Sequence, residues 1–305
     1  MARILFKTSL ALAVPFLCGG AWAGTLRVVT TTPDLADIVR QVGGDRVKVE
    51  SLASPVQNPH FVDAKPSLIL KVMKADLFIQ TGMDLEIGWA PSLIQSSGNR
   101  KVQQGSAGFL DCSAAIEPLE VPVKADRSQG DVHPMGNPHY LLDPENGKKA
   151  AKLIVDKLST LSTEDSSYFK KNIELFDAKI DSALKTWEAA LKPLKGRKFV
   201  SYHKVYPYFA KRFGLEISGE IEPRPGIPPT ASHTASLIAS MKSSGVRLIL
   251  TEPWHEMRTP QSLGKQTDSR VIVMAIFPGS LPQAADYVSS MDYNVRSVAE
   301  ALSGK

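Results

Sequence analysis

The sequence predicts an α/β protein built as two parallel-sheet α/β lobes joined by a long rigid helix. Three observations predict it: β-rich runs alternate with helical patterns from Thr25 onward, the alternation resumes near Lys198, and one unbroken amphipathic repeat lies between. At 305 residues the chain exceeds what one compact core usually holds. With 43% hydrophobic and 22% charged residues, it has an ordinary globular composition, which excludes a disordered or membrane-embedded chain.

Residues 1–23 read as a cleavable secretory signal: Arg3 and Lys7, the apolar run Leu10 to Leu17, then Ala21-Trp22-Ala23 before Gly24. That run is too short to span a bilayer as a helix. Cys18 follows Phe16-Leu17 rather than small residues, which argues against a lipid anchor. Cleavage takes away two basic groups and no acidic one, so the net charge of +5 becomes +3. So weak a bias argues against nucleic acid as partner. Cys112 then stands alone, and no intramolecular disulfide can form despite the oxidising compartment that export implies.

The first lobe, residues 24–162, shows strand and helix in alternation: Leu26–Thr31, Pro33–Val42, Val47–Leu52, Pro66–Lys74 and Leu77–Thr81. Val102–Met135 reads as a strand followed by a flexible surface loop. Residues 163–193 form the linking helix, with Phe169, Ile173, Phe176, Ile180, Leu184, Trp187 and Leu191 spaced by three or four. Ser162 or Thr163 is its expected cap, and Pro193 and Gly196 end it. About thirty residues span roughly 45 Å, a strut longer than one small lobe needs. The second lobe, residues 194–305, runs Lys198–Ser201, Val205–Phe213, Leu215–Gly219, Ser232–Ser243, Arg247–Thr251, Thr259–Thr267, Val271–Met274 and a last helix from about Gln283 to Leu302. The repetition between halves is one of architecture, with no short sequence repeat.

Three of the six histidines stand where a predicted strand gives way to a loop or helix, the edge at which α/β folds bind ligands. They are His60 in Asn58-Pro59-His60, His139 in Asn137-Pro138-His139 and His203 in Ser201-Tyr202-His203. The duplicated Asn-Pro-His is the most informative local feature, because Pro fixes the backbone just before each imidazole. Three neutral imidazoles and an oxygen make a tetrahedral zinc site.

These residues bring a family into view. The chain resembles the metal-specific solute-binding proteins of ABC importers, the cluster that handles zinc, manganese or iron. The resemblance rests on Asn58-Pro59-His60 with Lys65-Pro66-Ser67, on Lys74-Ala75-Asp76-Leu77 leading to Thr81-Gly82 and Glu86, and on Gly136 through Pro144. It continues through His203, Tyr208-Phe209, Phe213-Gly214-Leu215 and Thr251-Glu252-Pro253. It implies two lobes linked by a long helix, with a divalent transition metal held in the cleft by two ligands from each lobe. His60 and His139 would come from the first lobe and His203 from the second.

The fourth place departs from the family, which usually has Asp or Glu just after the strand matching Val271–Met274; Ala275 stands there. Glu252, a water molecule, or a histidine such as His133 or His255 are the substitutes, with water or Glu252 preferred. Glu252 also has a second reading, as a group that orients His203. Three histidines favour Zn2+, while Mn2+ or Fe2+ sites offer more carboxylate oxygen. The loop from Ser113 to Gly136 holds only His133, without the long His-rich stretch of many zinc-specific members, which keeps Mn2+, Fe2+, copper and nickel open.

The implied function is capture of the metal in the periplasm and delivery to the membrane permease of an ABC importer, by a monomer that does not insert in the membrane and is not an enzyme. An exported zinc-dependent hydrolase is the rival, with Glu252 or Glu256 as base, but no His-Glu-x-x-His or Gly-x-Ser-x-Gly motif supports it. The strut argues for small lobe movements and for ordering of the Ser113–Gly136 loop on metal binding. Metal affinity is expected to fall as pH drops through about 6.5. The proline-dense Glu222–Pro229 stretch reads as a rigid loop, His233 as a surface residue, and Tyr202, Tyr206, Tyr208 and Phe209 as packing.

Overall fold

The computed structural model describes residues 24–123, 132–224 and 226–304. The expected signal segment, residues 1–23, lies outside the described residues. The first lobe contains β1 (Leu26–Thr30), α1 (Pro33–Gly43), β2 (Val47–Ser51), α2 (Pro66–Met73), β3 (Leu77–Gln80), α3 (Ala90–Ser97), β4 (Phe109–Asp111) and α4 (Pro144–Leu161). Helix α5 (Ser166–Leu191) follows. The second lobe contains β5 (Lys198–Ser201), α6 (Pro207–Phe213), β6 (Glu216–Glu220), α7 (Ala231–Ser244), β7 (Leu248–Thr251), α8 (Arg258–Thr267), β8 (Arg270–Val273) and α9 (Tyr287–Ser303).

Both sheets are parallel and share one plan: β2-β1-β3-β4 in the first, β6-β5-β7-β8 in the second. The predicted fold class is the observed one, and the rhythm seen along the chain is a repeated strand order. Such sheets bind ligands beyond their carboxyl ends, where the chain direction of winding reverses. The loops after β2, β4, β5 and β7 therefore matter for function.

Strand residues alternate between two cores, as the pleat requires. Val28, Leu77 and Ile79 in the first sheet, and Phe199, Leu248 and Leu250 in the second, all belong to one continuous apolar cluster. Their neighbours face outward into separate cores: Val29 and Phe78 against α2 and α3, and Val200 and Ile249 against α7 and α8. The central cluster thus runs through both lobes.

Helix α5 supplies its spine. Phe169, Phe176, Ile180, Leu184, Trp187 and Leu191 are buried in that cluster, and the helix packs on α1, α4 and α9. Its cap lies at Asp165 rather than at Ser162 or Thr163, because Ser162 closes α4 instead, with its N–H on the Leu158 carbonyl and its hydroxyl on Asp165. Helix α9 reaches back across the molecule. It packs on β7, β8, α1 and α5, the Tyr287 N–H donates to Asp37 at 2.9 Å, and the Tyr287 hydroxyl donates to the Leu141 carbonyl at 2.6 Å.

Helices α3 and α4 escape the sequence pattern. The first turn of α4 contains Asn146 and Gly147, weak helix formers whose reason is tertiary. A Cβ on Gly147 would lie 2.6 Å from the Tyr287 hydroxyl of α9. Of the expected loop from Ser113 to Gly136, residues 124–131 lie outside the described residues.

Trp187 is 1% exposed and donates its indole N–H to Asp292 of α9 at 3.2 Å. Replacing it with Ala is expected to lower unfolding free energy by about 3–5 kcal/mol, measured by denaturant titration, while the metal stoichiometry stays unchanged.

Candidate metal centre

Each Asn-Pro-His is a side-chain-capped turn. The Asn58 Oδ1 accepts the His60 backbone N–H at 3.0 Å, and the Asn137 Oδ1 accepts that of His139 at 3.0 Å. Asn58 Oδ1 also lies 2.9 Å from His60 Nδ1. Since that oxygen already accepts the backbone proton, the ring proton belongs on Nδ1, and the His60 lone pair is left on Nε2. His203 is set by the same rule, with its Nδ1 2.7 Å from Glu222 Oε2. A carboxylate behind a histidine fixes tautomer and ring direction and makes the other nitrogen a better donor.

The structure brings His60, His139 and His203 together. One ring nitrogen from each lies within 4.8 Å of the others, and this is the one such group of histidine, cysteine or acidic side chains among the described residues. Ring centroids are 5.3, 5.3 and 5.7 Å apart, and all three residues are buried. The His139 Nε2 is buried without a hydrogen-bond partner, which costs about 1–3 kcal/mol that a bound cation would offset.

Hydrogen bonds across the cleft hold the two halves in register. Asn137 caps His139 with its oxygen while its Nδ2 donates to the Lys204 carbonyl, next to His203, at 2.8 Å. The Tyr208 hydroxyl donates to the Asn137 carbonyl and accepts the Leu119 N–H, both at 3.0 Å. Arg212 forks onto Asp143, the α4 cap, at 2.7 and 3.0 Å. Deeper in the first lobe Glu86 accepts from the Thr31 hydroxyl and from the Thr81 and Gly82 amides, tying β1 to β3 behind the site. A Cβ at Gly82, φ 86°, would lie 2.0 Å from Asp111 Oδ1, so this turn requires glycine.

Burial keeps the His60 and His139 imidazoles neutral. His60 and His139 titrate well below the ordinary histidine value, first because they are desolvated and then because neighbouring histidines repel a second charge. Neutral imidazole is the form that binds metal.

Ala275 is 1% exposed, and Asn294 holds both its N–H, at 2.7 Å, and its carbonyl, at 3.0 Å. Glu252 is not brought to the trio. Its carboxyl is wholly buried beside Tyr206 and His255, whose Nε2 lies 3.2 Å away, and burial raises its pKa to about 8. His255 stacks on Tyr202 at 3.9 Å and is not among the clustered ligand atoms. His133 instead lies against the trio, with its Nε2 3.1 Å from His60 Nε2.

Sequence reasoning missed Glu222. It sat inside a proline-dense segment and had no periodic signal, yet it is the carboxylate that orients His203, the role considered for Glu252. The expected packing residues Tyr202, Tyr206, Tyr208 and Phe209 are buried. His233 is half-buried rather than on the surface, with Nε2 2.9 Å from the Glu220 carbonyl.

Comparison with known proteins follows this geometry. The family model described as zinc-uptake complex component A, periplasmic (ZnuA), matches residues 28–301. The manganese ABC transporter substrate-binding lipoprotein PsaA of Streptococcus pneumoniae is 26% identical over 287 residues, covering 91% of this chain and 89% of its own. The high-affinity zinc uptake system protein ZnuA of Bacillus subtilis (strain 168) is 24% identical over 286 residues, covering 91% and 88%. A crystal structure of ZnuA superposes with a TM-score of 0.78 at 22% identity, over 91% of this chain and 99% of that one, a likeness of fold.

Two outcomes are expected. Glu222→Ala should weaken metal binding by on the order of 10- to 100-fold, read by competition titration, with little change in the melting temperature of the metal-free protein. An ordinary imidazole loses about tenfold in metal affinity per pH unit below about 6.5. Because the pKa values of His60 and His139 are lowered, protons compete with metal at these two residues only at lower pH. Affinity should therefore fall between pH 6.5 and 5.5 by less than the roughly thirtyfold of two ordinary histidines, measured by the same titration.

Proposed function

The chain belongs to the family of zinc-uptake complex component A periplasmic proteins, and from that premise we propose that it captures Zn2+, in preference to Mn2+ or Fe2+, at His60, His139 and His203. On this reading it is a monomer working outside the cytoplasm that delivers the ion to the membrane permease of an ABC importer. No helix among the described residues is long and apolar enough to cross a membrane.

The observation that carries the reading is the convergence of three buried imidazoles from both lobes on one point. The relatives are named for zinc and for manganese, so their names do not choose the metal. The donor set supports zinc: nitrogen-rich sites suit it, while manganese and iron(II) would be better served by carboxylate oxygen, and the cluster among the described residues is three histidines.

The hydrolase alternative is not supported by either carboxylate considered as its base. Glu252 is buried and held protonated near neutral pH beside His255, and Glu256 is engaged at the start of α8, accepting from the Arg258 and Thr259 amides. Family members are substrate-binding proteins of transporters.

Delivery asks the lobes to loosen their hold. With one apolar core through both lobes, release by small shifts of the cleft loops costs less than a wide hinge opening. Elemental analysis with zinc and manganese titration of the mature protein tests the reading. One equivalent of zinc is expected, bound more tightly than manganese, and lost or badly weakened in His60→Ala, His139→Ala and His203→Ala. A protein that binds no metal, or variants that bind as well as it does, would overturn it.

A further inference from the structure

Building on that trio, we infer that His133 is the fourth ligand, so that the cargo is held by four imidazoles with His133 where the family usually has a carboxylate. His60 and His133 point Nε2 at Nε2 across 3.1 Å, and their ring centroids are 5.2 Å apart, like the spacings within the trio. The His60 Nδ1 carries that ring's proton, so its Nε2 presents a lone pair. A second imidazole nitrogen at that distance must either donate a proton to the lone pair or share a cation with it.

A tetrahedral zinc with Zn–N of about 2.0–2.1 Å sets its nitrogens about 3.3–3.4 Å apart. The observed separation is close to that of two ligands on one ion.

The surrounding structure supports the placement. A turn holds His133 over the cleft: the Gly136 N–H donates to the His133 carbonyl at 3.1 Å, and the Asn137 N–H donates to the Leu119 carbonyl at 2.8 Å. Gly136 has φ 107°, and a Cβ there would meet Pro118 and Leu119, so the turn is specified in sequence. His133 lines two cavities at once, one of about 640 Å³ shared with His60 and one of about 260 Å³ shared with His139 and His203. Val132 beside it lines both as well. Of the other candidates, Ala275 has no donor and Glu252 is turned to His255.

His133 is outside the set that shares the 4.8 Å limit, so it closes on the ion by a small inward movement of the turn. Four nitrogens and no oxygen would strengthen the preference for zinc over manganese.

Long-range 1H–15N correlation spectra of the histidine rings, recorded on the mature protein with and without one equivalent of zinc, test this directly. A His133→Ala variant assigns the His133 signal, and competition titration gives its affinity. In the wild type, Nε2 of His133 is expected to take a metal-bound shift together with one nitrogen each of His60, His139 and His203. His133→Ala should still bind one equivalent, at least about tenfold more weakly, with an unchanged metal-free melting temperature because His133 is on a turn and outside the core. Metal-bound shifts for the trio alone, whatever the affinity of the variant, would overturn the inference and leave the trio standing. Absence of zinc binding in the wild type would remove both.

Discussion

One apolar core runs under both sheets, and the distance between the two halves of the metal centre is set by it. The inner faces of β1, β3, β5 and β7 and one stripe of α5 are parts of the same cluster, so neither lobe can turn without opening packed surface. Helix α9 adds to the constraint by joining the second sheet to α1 and α5. A cleft on so rigid a base keeps three imidazoles near one point. Movement is left to the loops above it.

Within that frame the chemistry depends on dryness and on hydrogen-bond direction. Desolvation removes the protons that would compete with a metal, and the acceptors behind the rings decide which nitrogen stays free. Asn137 links the halves, since one amide side chain caps the His139 turn and binds the strand end that carries His203. The same residue type at Asn58 serves only its own turn and ring. The repeated tripeptide therefore has one local job in both copies and a second, cross-lobe job in one.

Much of this was legible in the chain. Strand and helix alternation gave the layers, because period-2 and period-3.6 patterns are local consequences of which face is buried. The apolar series from Phe169 to Leu191 marked α5 to within a turn at each end. His60, His139 and His203 stood out because a proline-stiffened turn or a strand end presented each of them. Helix α4 stayed hidden because its first turn contains Gly147, kept small by Tyr287, 140 residues further along.

By itself, then, the sequence determined the element types, the fold class and three imidazoles at strand ends, since each is fixed by residues near one another in the chain. Only the tertiary structure decided how the cleft is completed. It closed Ala275 with Asn294, turned Glu252 toward His255, set Glu222 behind His203 and laid His133 against His60. Those pairings join residues 3 to 73 positions apart, and only folding sets the direction in which each side chain points.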